Sequence, residues 1–266
     1  MPSLLLPSSP LAGERSVTID YRREGLGPAL VFLHGGWGYD VYPIDVEAFD
    51  SRTVIIPWRS GYGRSSPVEV LPSDFHSSAV QETLLVLDAL EIERAVWWGH
   101  SDGAVIAAMA AIQAPHRVRA VVLEALHYFA GKPRSRQFFQ RMATDPESFG
   151  ERTRRTLAAE HGDERWRTVL HLDGQAWLDL ARAAATPDAD LYQGRLRQVR
   201  VPTLVVHGGL DPRSEPGELA AIMAALPQAR YSFHADAGHC PHSESSQGAV
   251  TSAVNEFLLS LEAAPG

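Results

Sequence analysis

The pentapeptide Gly99-His100-Ser101-Asp102-Gly103 constrains this chain more than any other stretch. It lies between an apolar β-type run, Ala95-Val-Trp-Trp98, and an alanine-rich helical run over residues 104–114. A chain that passes from buried strand to helix in so few residues must turn sharply, and a serine at that turn stands clear of its neighbours. Glycine at 99 and 103 leaves room for strand and helix backbones to close around the serine. Ala104, Ala107 and Ala108 keep the following helix slim enough to pack closely. The pattern asks for a strand of a parallel sheet feeding a helix, with Ser101 at the carboxyl edge of the sheet.

The rest of the chain supplies such a sheet. Strand patterns recur at residues 15–23, 29–34, 52–57, 94–99, 118–124, 202–208 and 229–235. Several are continuous apolar runs, as expected of strands covered by helices on both faces. Helical patterns over 73–90, 217–226 and 250–261 alternate with them, and in the first Val80, Thr83, Leu84, Leu87 and Leu90 fall on one stripe. Alternation of this kind predicts an α/β fold built on a doubly wound, mostly parallel sheet. It breaks between residues 126 and 199, where arginine-rich helix formers replace strands. The predicted organisation is a core of residues 1–125 and 200–266 with a helical cap at 126–199. That insertion reads either as a lid over the strand ends or as a solvated helical subdomain. The two ends, about 1–10 and 263–266, are expected to be disordered.

Three further segments complete a chemistry around Ser101. A serine hydroxyl is a poor nucleophile unless a base lies within hydrogen-bond reach, and the base needs a carboxylate to fix its tautomer. Asp211 follows a β-type run and a Gly-Gly turn; His239 follows another short strand in Asp236-Ala-Gly-His239. The order serine, acid, histidine is the one this kind of turn calls for. Glu124, at the end of the preceding strand, is the alternative acid. The glycine-rich turn His34-Gly-Gly-Trp-Gly38 ends the strand at 29–34. It offers the N–H of Gly36, or alternatively Trp37, to a developing oxyanion, with the N–H of Asp102 as partner. His34, His100 and His242 read as supporting or turn residues. The Asp102 side chain reads here as a carboxylate favoured at a helix N-terminus.

With these residues in place the chain resembles an α/β-hydrolase-fold serine hydrolase over nearly its full length. Gly61-Tyr-Gly-Arg-Ser65 resembles the glycine-rich loop after that family's fourth strand. The Gly-x-Ser-Asp-Gly turn and the Gly-His-x-x-His ending (His239, His242) are similar to the valacyclovir-hydrolase, or biphenyl-hydrolase-like, branch. So are the stretch 149–155 and Trp177, which resemble that branch's helical lid. The chain departs from the pattern at Trp58, where many members carry aspartate, at Ser60, and at Ala104. The resemblance implies hydrolysis of a small carboxylic ester, lactone or thioester through an acyl-enzyme, and it also suggests an amino-acyl ester and a second reading of Asp102, as a binding group for a substrate ammonium. A carbon–carbon bond hydrolase with the same three residues, or a non-catalytic ligand receptor, are the alternatives.

Composition narrows the partners. The formal net charge of −8 argues against nucleic acid or an anionic membrane surface as the main partner, and the expected partner is the small-molecule ester substrate that the resemblance implies. The single cysteine, Cys240, rules out an internal disulfide and suits a reducing, cytoplasmic setting. No cluster has the spacing of a metal site and no glycine pattern that of a dinucleotide site, so neither metal nor cofactor is expected.

Overall fold

A computed structural model describes residues 1–263. Eight strands form one sheet in the order β1-β2-β4-β3-β5-β6-β7-β8. They are β1 (Ser3–Ser9), β2 (Arg15–Glu24), β3 (Ala29–Leu33), β4 (Thr53–Pro57), β5 (Ala95–His100), β6 (Val118–Glu124), β7 (Thr203–Gly208) and β8 (Arg230–His234). β1 pairs antiparallel with β2, and β2 antiparallel with β4; every pairing from β4 to β8 is parallel. The seven predicted strands are all present, within a residue or two of their expected bounds.

Burial on both faces explains the apolar runs. Val31, Leu33, Trp97, Val121, Leu123 and Val205 point to one face, against α1 (Phe75–Ala89), α2 (Asp102–Gln113) and α6 (Glu218–Ala225). Their neighbours Leu30, Phe32, Val96, Trp98, Val122 and Val206 point to the other, against Val250, Val254 and Phe257 of α7 (Gln247–Ala263). Two buried layers flank one sheet, as alternation along a strand requires.

The amino terminus corrects the expectation of disorder. Residues 3–9 form the outer strand of the sheet, with Leu6 buried against Val17 and Ile19. The Ser9 hydroxyl is bonded to the buried carboxylate of Glu82 on α1. Pro2, Pro7 and the serines disguise the strand, but an edge strand tolerates proline because half its N–H groups face away from the sheet. At the other end α7 runs to Ala263, and residues 264–266 lie outside the described part.

Between β6 and β7 stand α3 (Arg136–Thr144), α4 (Glu151–His161) and α5 (Arg165–Ala183). They share a small core of Phe139, Met142, Leu157, Trp166, Leu170 and Trp177. The chain leaves the sheet for these helices at the carboxyl end of β6.

Candidate active site

Sheet topology decides where a ligand can enter. Strand order reverses between β3 and β5, since β3 is followed by β4 on one side and β5 lies on the other. Loops leaving adjacent strands in opposite directions open a crevice at their carboxyl ends. The turn at residues 34–38 leaves β3 there and Ser101 leaves β5.

Ser101 occupies a conformation few non-glycine residues adopt, φ 55° and ψ −117°. Close packing enforces it. A Cβ added to Gly99 would lie 1.9 Å from the carbonyl oxygen of Gly103, and one on Gly103 would lie 1.9 Å from that of Leu33. The Ser101 N–H donates to the Glu124 carbonyl at 2.9 Å, which anchors the turn to β6.

Three of the predicted residues meet at this point. Ser101 Oγ lies 3.0 Å from His239 Nε2, and His239 Nδ1 lies 2.9 Å from both carboxylate oxygens of Asp211. Asp211 is fixed in turn by the backbone N–H of Arg213, which donates to Oδ1 at 2.7 Å. Burial alone would raise the Asp211 carboxyl, but electrostatic attraction to the His239 ring and its hydrogen bonds outweigh that and hold it at about 2. The aspartate is therefore ionised and accepts from His239 Nδ1, an arrangement that in the neutral ring leaves Nε2 bare and facing the serine hydroxyl.

The alternative acid is engaged elsewhere. Glu124 accepts from the ring and backbone N–H of His242, at 2.8 and 2.9 Å, and from the Trp98 indole at 3.0 Å. His100 Nε2 lies 3.0 Å from the His239 carbonyl oxygen and steadies that loop; burial lowers its pKa to about 3, so it is neutral and donates there. His34 places Nδ1 2.7 Å from the Gly35 carbonyl. All three supporting histidines thus pack under or beside the turns they were expected to support.

The turn after β3 is held by its carbonyls and by the Gly38 N–H, which donates to Gly35 O at 3.4 Å. The Arg59 guanidinium donates to His34 O at 2.6 Å and to Gly35 O at 3.2 Å. Among the described residues neither the Gly36 nor the Trp37 N–H has an acceptor in the protein. A Cβ on Gly36 would lie 2.0 Å from an Asp173 oxygen, so a side chain there would have to displace that carboxyl. Gly36, Trp37, Ser101 and Asp102 all line the same pocket.

The inserted helices clamp this turn. Glu160 of α4 accepts from the Tyr39 N–H at 2.7 Å, the Asp40 N–H at 3.0 Å and the Trp58 indole at 2.6 Å. Next to it, His161 accepts the Gly63 N–H on Nδ1 at 2.8 Å and so donates from Nε2 to the Trp37 carbonyl at 3.0 Å. Burial lowers this histidine to about 4 and keeps it neutral for that role. Trp58, a departure from the family pattern, thus has its indole N–H satisfied by a buried carboxylate of the inserted helices.

Asp102 is surrounded. Its Oδ1 accepts from the Trp177 indole of α5 at 2.9 Å and from His76 Nε2 of α1 at 3.2 Å. Asp173 of α5 bonds to it as well. Burial first, then the Asp102 charge, push the Asp173 carboxyl well above the carboxylate range, while His76 holds Asp102 low against burial. Two buried carboxyls side by side share one proton in this way.

The pocket itself is small, about 160 Å³, and its walls are Trp37, Tyr42, Phe138, Phe139, Trp177 and Arg213 around the serine. Arg213 stacks its guanidinium 4.0 Å over the Phe138 ring. Sequence reasoning did not single out His127, which puts Nε2 3.2 Å from Ser101 Oγ. Its place, three residues beyond the carboxyl end of β6 at the ligand edge of the sheet, was the available sign.

Comparison with known proteins identifies the family. Residues 30–253 match the alpha/beta hydrolase family. Serine hydrolase BPHL of Mus musculus is 27% identical over 203 residues, spanning 74% of this chain and 68% of that protein. The 2-hydroxy-6-oxo-2,4-heptadienoate hydrolase of Pseudomonas putida is 27% identical over 263 residues, 88% of this chain and 90% of its own. A thermophilic esterase from Thermogutta terrifontis superposes with a TM-score of 0.72 at 21% identity, over 98% of this chain and 99% of the esterase. With the matched region reaching from β3 into α7 and so taking in the whole crevice, the chain belongs to the alpha/beta hydrolase family and resembles its BPHL branch.

Proposed function

We propose that this protein hydrolyses a small carboxylic ester, or a related lactone or thioester, through an acyl-enzyme on Ser101. The observation that carries the reading is the unbroken chain from Ser101 Oγ through His239 to Asp211, with contacts of 3.0 and 2.9 Å. In the first half-reaction Oγ forms a bond to the ester carbon while His239 Nε2 takes the hydroxyl proton. The carbonyl π electrons move to oxygen, where the N–H groups of Gly36 and Asp102 receive the charge. The tetrahedral species expels the alcohol, which leaves with the proton from His239. In the second half-reaction water loses a proton to His239 and attacks the acyl carbon, and Oγ departs and recovers that proton.

Aromatic walls and a volume of about 160 Å³ suit a compact apolar acyl group. That is well below the roughly 300–1,000 Å³ of sites for drug-sized ligands. The α3–α5 segment acts as the lid in this reading, since it contributes Phe138, Phe139, Asp173 and Trp177 to the lining. The full-length likeness to the Pseudomonas putida dienoate hydrolase supports a second reading, cleavage of a carbon–carbon bond with the same residues.

A screen of p-nitrophenyl esters, lactones and 2-hydroxy-6-oxodienoates with labelling by a fluorophosphonate tests both. Ester turnover with modification of Ser101 is expected. Ser101→Ala should lower kcat by about 10⁴–10⁶. An Ala variant that keeps most of its esterase activity would exclude Ser101 as the nucleophile, and efficient dienoate cleavage without ester cleavage would favour the second reading.

A further inference from the structure

Ser101 Oγ is held between two imidazoles. His239 lies 3.0 Å away on one side and His127 Nε2 3.2 Å away on the other. The two rings are nearly parallel, 18° apart with centroids separated by 5.6 Å. His127 is almost wholly buried, its ring stands edge-on to Trp177 at 5.1 Å, and its backbone carbonyl accepts from the Tyr192 hydroxyl at 2.8 Å.

Proton counting fixes what the second contact must be. A serine hydroxyl has one proton and two lone pairs. In the neutral form in which His239 acts as base, its one ring proton sits on Nδ1 and donates to Asp211, so the serine proton goes to Nε2. The contact with His127 can therefore only be accepted by Oγ, which makes His127 the donor and requires its proton on Nε2. Burial, with Lys132 and His239 nearby, lowers the pKa of His127 far below that of a free imidazole. The ring is thus neutral, with a bare Nδ1, and adds no second positive charge beside His239 when that ring is protonated.

We propose that His127 is a further catalytic residue: a neutral N–H donor to the nucleophilic oxygen that stabilises charge on Oγ in both half-reactions. The inference rests on Ser101 being the nucleophile. As Oγ yields its proton to His239 and attacks, one lone pair forms the new bond and the other keeps the His127 hydrogen bond. When the acyl group is cleaved and Oγ leaves as an incipient alkoxide, the same N–H stabilises it until His239 returns the proton. His127 gains and loses no proton at any stage, which separates its role from that of the base.

The test compares His127→Gln with His127→Met. Gln places an amide N–H near the position of ring Nε2, whereas Met has similar length and no donor. Pre-steady-state p-nitrophenyl acetate kinetics give the acylation and deacylation rates, and fluorophosphonate labelling reports on Oγ alone. A hydrogen bond to a charged group implies that Met slows both rates and labelling by about 10- to 100-fold, with Gln recovering most of the loss. Met labelling as fast as the wild type, or Gln and Met losing equally, would overturn the role. Should neither variant fold, ¹⁵N chemical shifts of the wild-type histidines decide. The Nε2–H tautomer is expected for His127, and the Nδ1–H tautomer would refute it. Ser101→Ala is the control: if it still takes the label at the normal rate, the nucleophile reading fails, and this inference with it. If Ser101→Ala is inert while Met behaves as wild type, only the His127 role falls.

Discussion

Trp58 donates its indole N–H to Oε1 of Glu160 at 2.6 Å, joining the residue just after β4 to the second inserted helix. The same carboxylate collects the N–H groups of Tyr39 and Asp40, directly downstream of the Gly36 turn. One buried side chain thus fixes the helical insertion and the turn after β3 relative to each other.

Glu160 makes the molecule's stability depend on pH. Burial, more than any other influence, raises its pKa to about 7, above the ordinary 4.5 that the unfolded chain would show. Between those values the folded form binds the proton more tightly than the unfolded form, so its contribution to stability declines as pH rises from about 5 to 7. Glu160→Gln carries no such titration. The variant is expected to be less stable at pH 5, having lost an acceptor, and to close part of that gap by pH 8. Thermal unfolding midpoints of both proteins across this range provide the check; a gap that widens with pH would contradict the assignment.

The two acids near the site are expected to separate by function. Asp211→Asn removes the carboxylate that sets the His239 tautomer, and kcat should fall by about 10⁴ with folding intact. Glu124→Gln disturbs His242 and Trp98 instead, so it should lower the melting temperature while activity changes less than about tenfold. Steady-state kinetics alongside calorimetry distinguish the two, and the reverse pattern would make Glu124 the catalytic acid.

Asp102→Asn bears on the ammonium role that the family likeness raised. Trp177, His76 and Asp173 already occupy the carboxylate. Removing its charge should therefore disturb the wall of the pocket for every substrate, and kcat/KM should drop by similar factors on amino-acyl and simple acyl esters. A loss confined to amino-acyl esters would instead establish Asp102 as a cation-binding group.

Strain at Ser101 predicts an exchange of stability for activity. Its φ of 55° is kept in Ser101→Ala, but Ser101→Gly can adopt it freely. Both variants should be inactive, and the Gly variant should be the more stable of the two by about 1 kcal/mol or more. Urea unfolding of the pair measures this directly. Equal stability would mean that the turn is relaxed.

Much of this was legible in the chain because the information was local. Seven strands showed themselves as β-type or continuous apolar runs, and Ser101, Asp211 and His239 each followed one at the edge where ligands bind. The glycines at 99 and 103 were readable because close approach leaves no alternative. β1 was missed because its prolines and serines are compatible with an edge strand only once β2 is there to pair with it. Asp173, Glu160 and His161 were unreadable for a different reason. Helical periodicity marks an inward face but not what that face meets, and these residues act through loops more than 90 positions away in sequence. His127 lies near a strand end that was correctly identified, yet a single histidine there carries no pattern of its own.

The wall opposite the sheet comes from one continuous piece of chain, α3 to α5, whose two ends join neighbouring strands. Substrate preference should therefore be transplantable by exchanging that piece with a relative's, leaving the serine, histidine and aspartate untouched. The graft has a compatibility rule: an incoming segment without an acceptor at position 160 would strand the Trp58 indole in a dry interior, so recipients should be matched on residue 58 first.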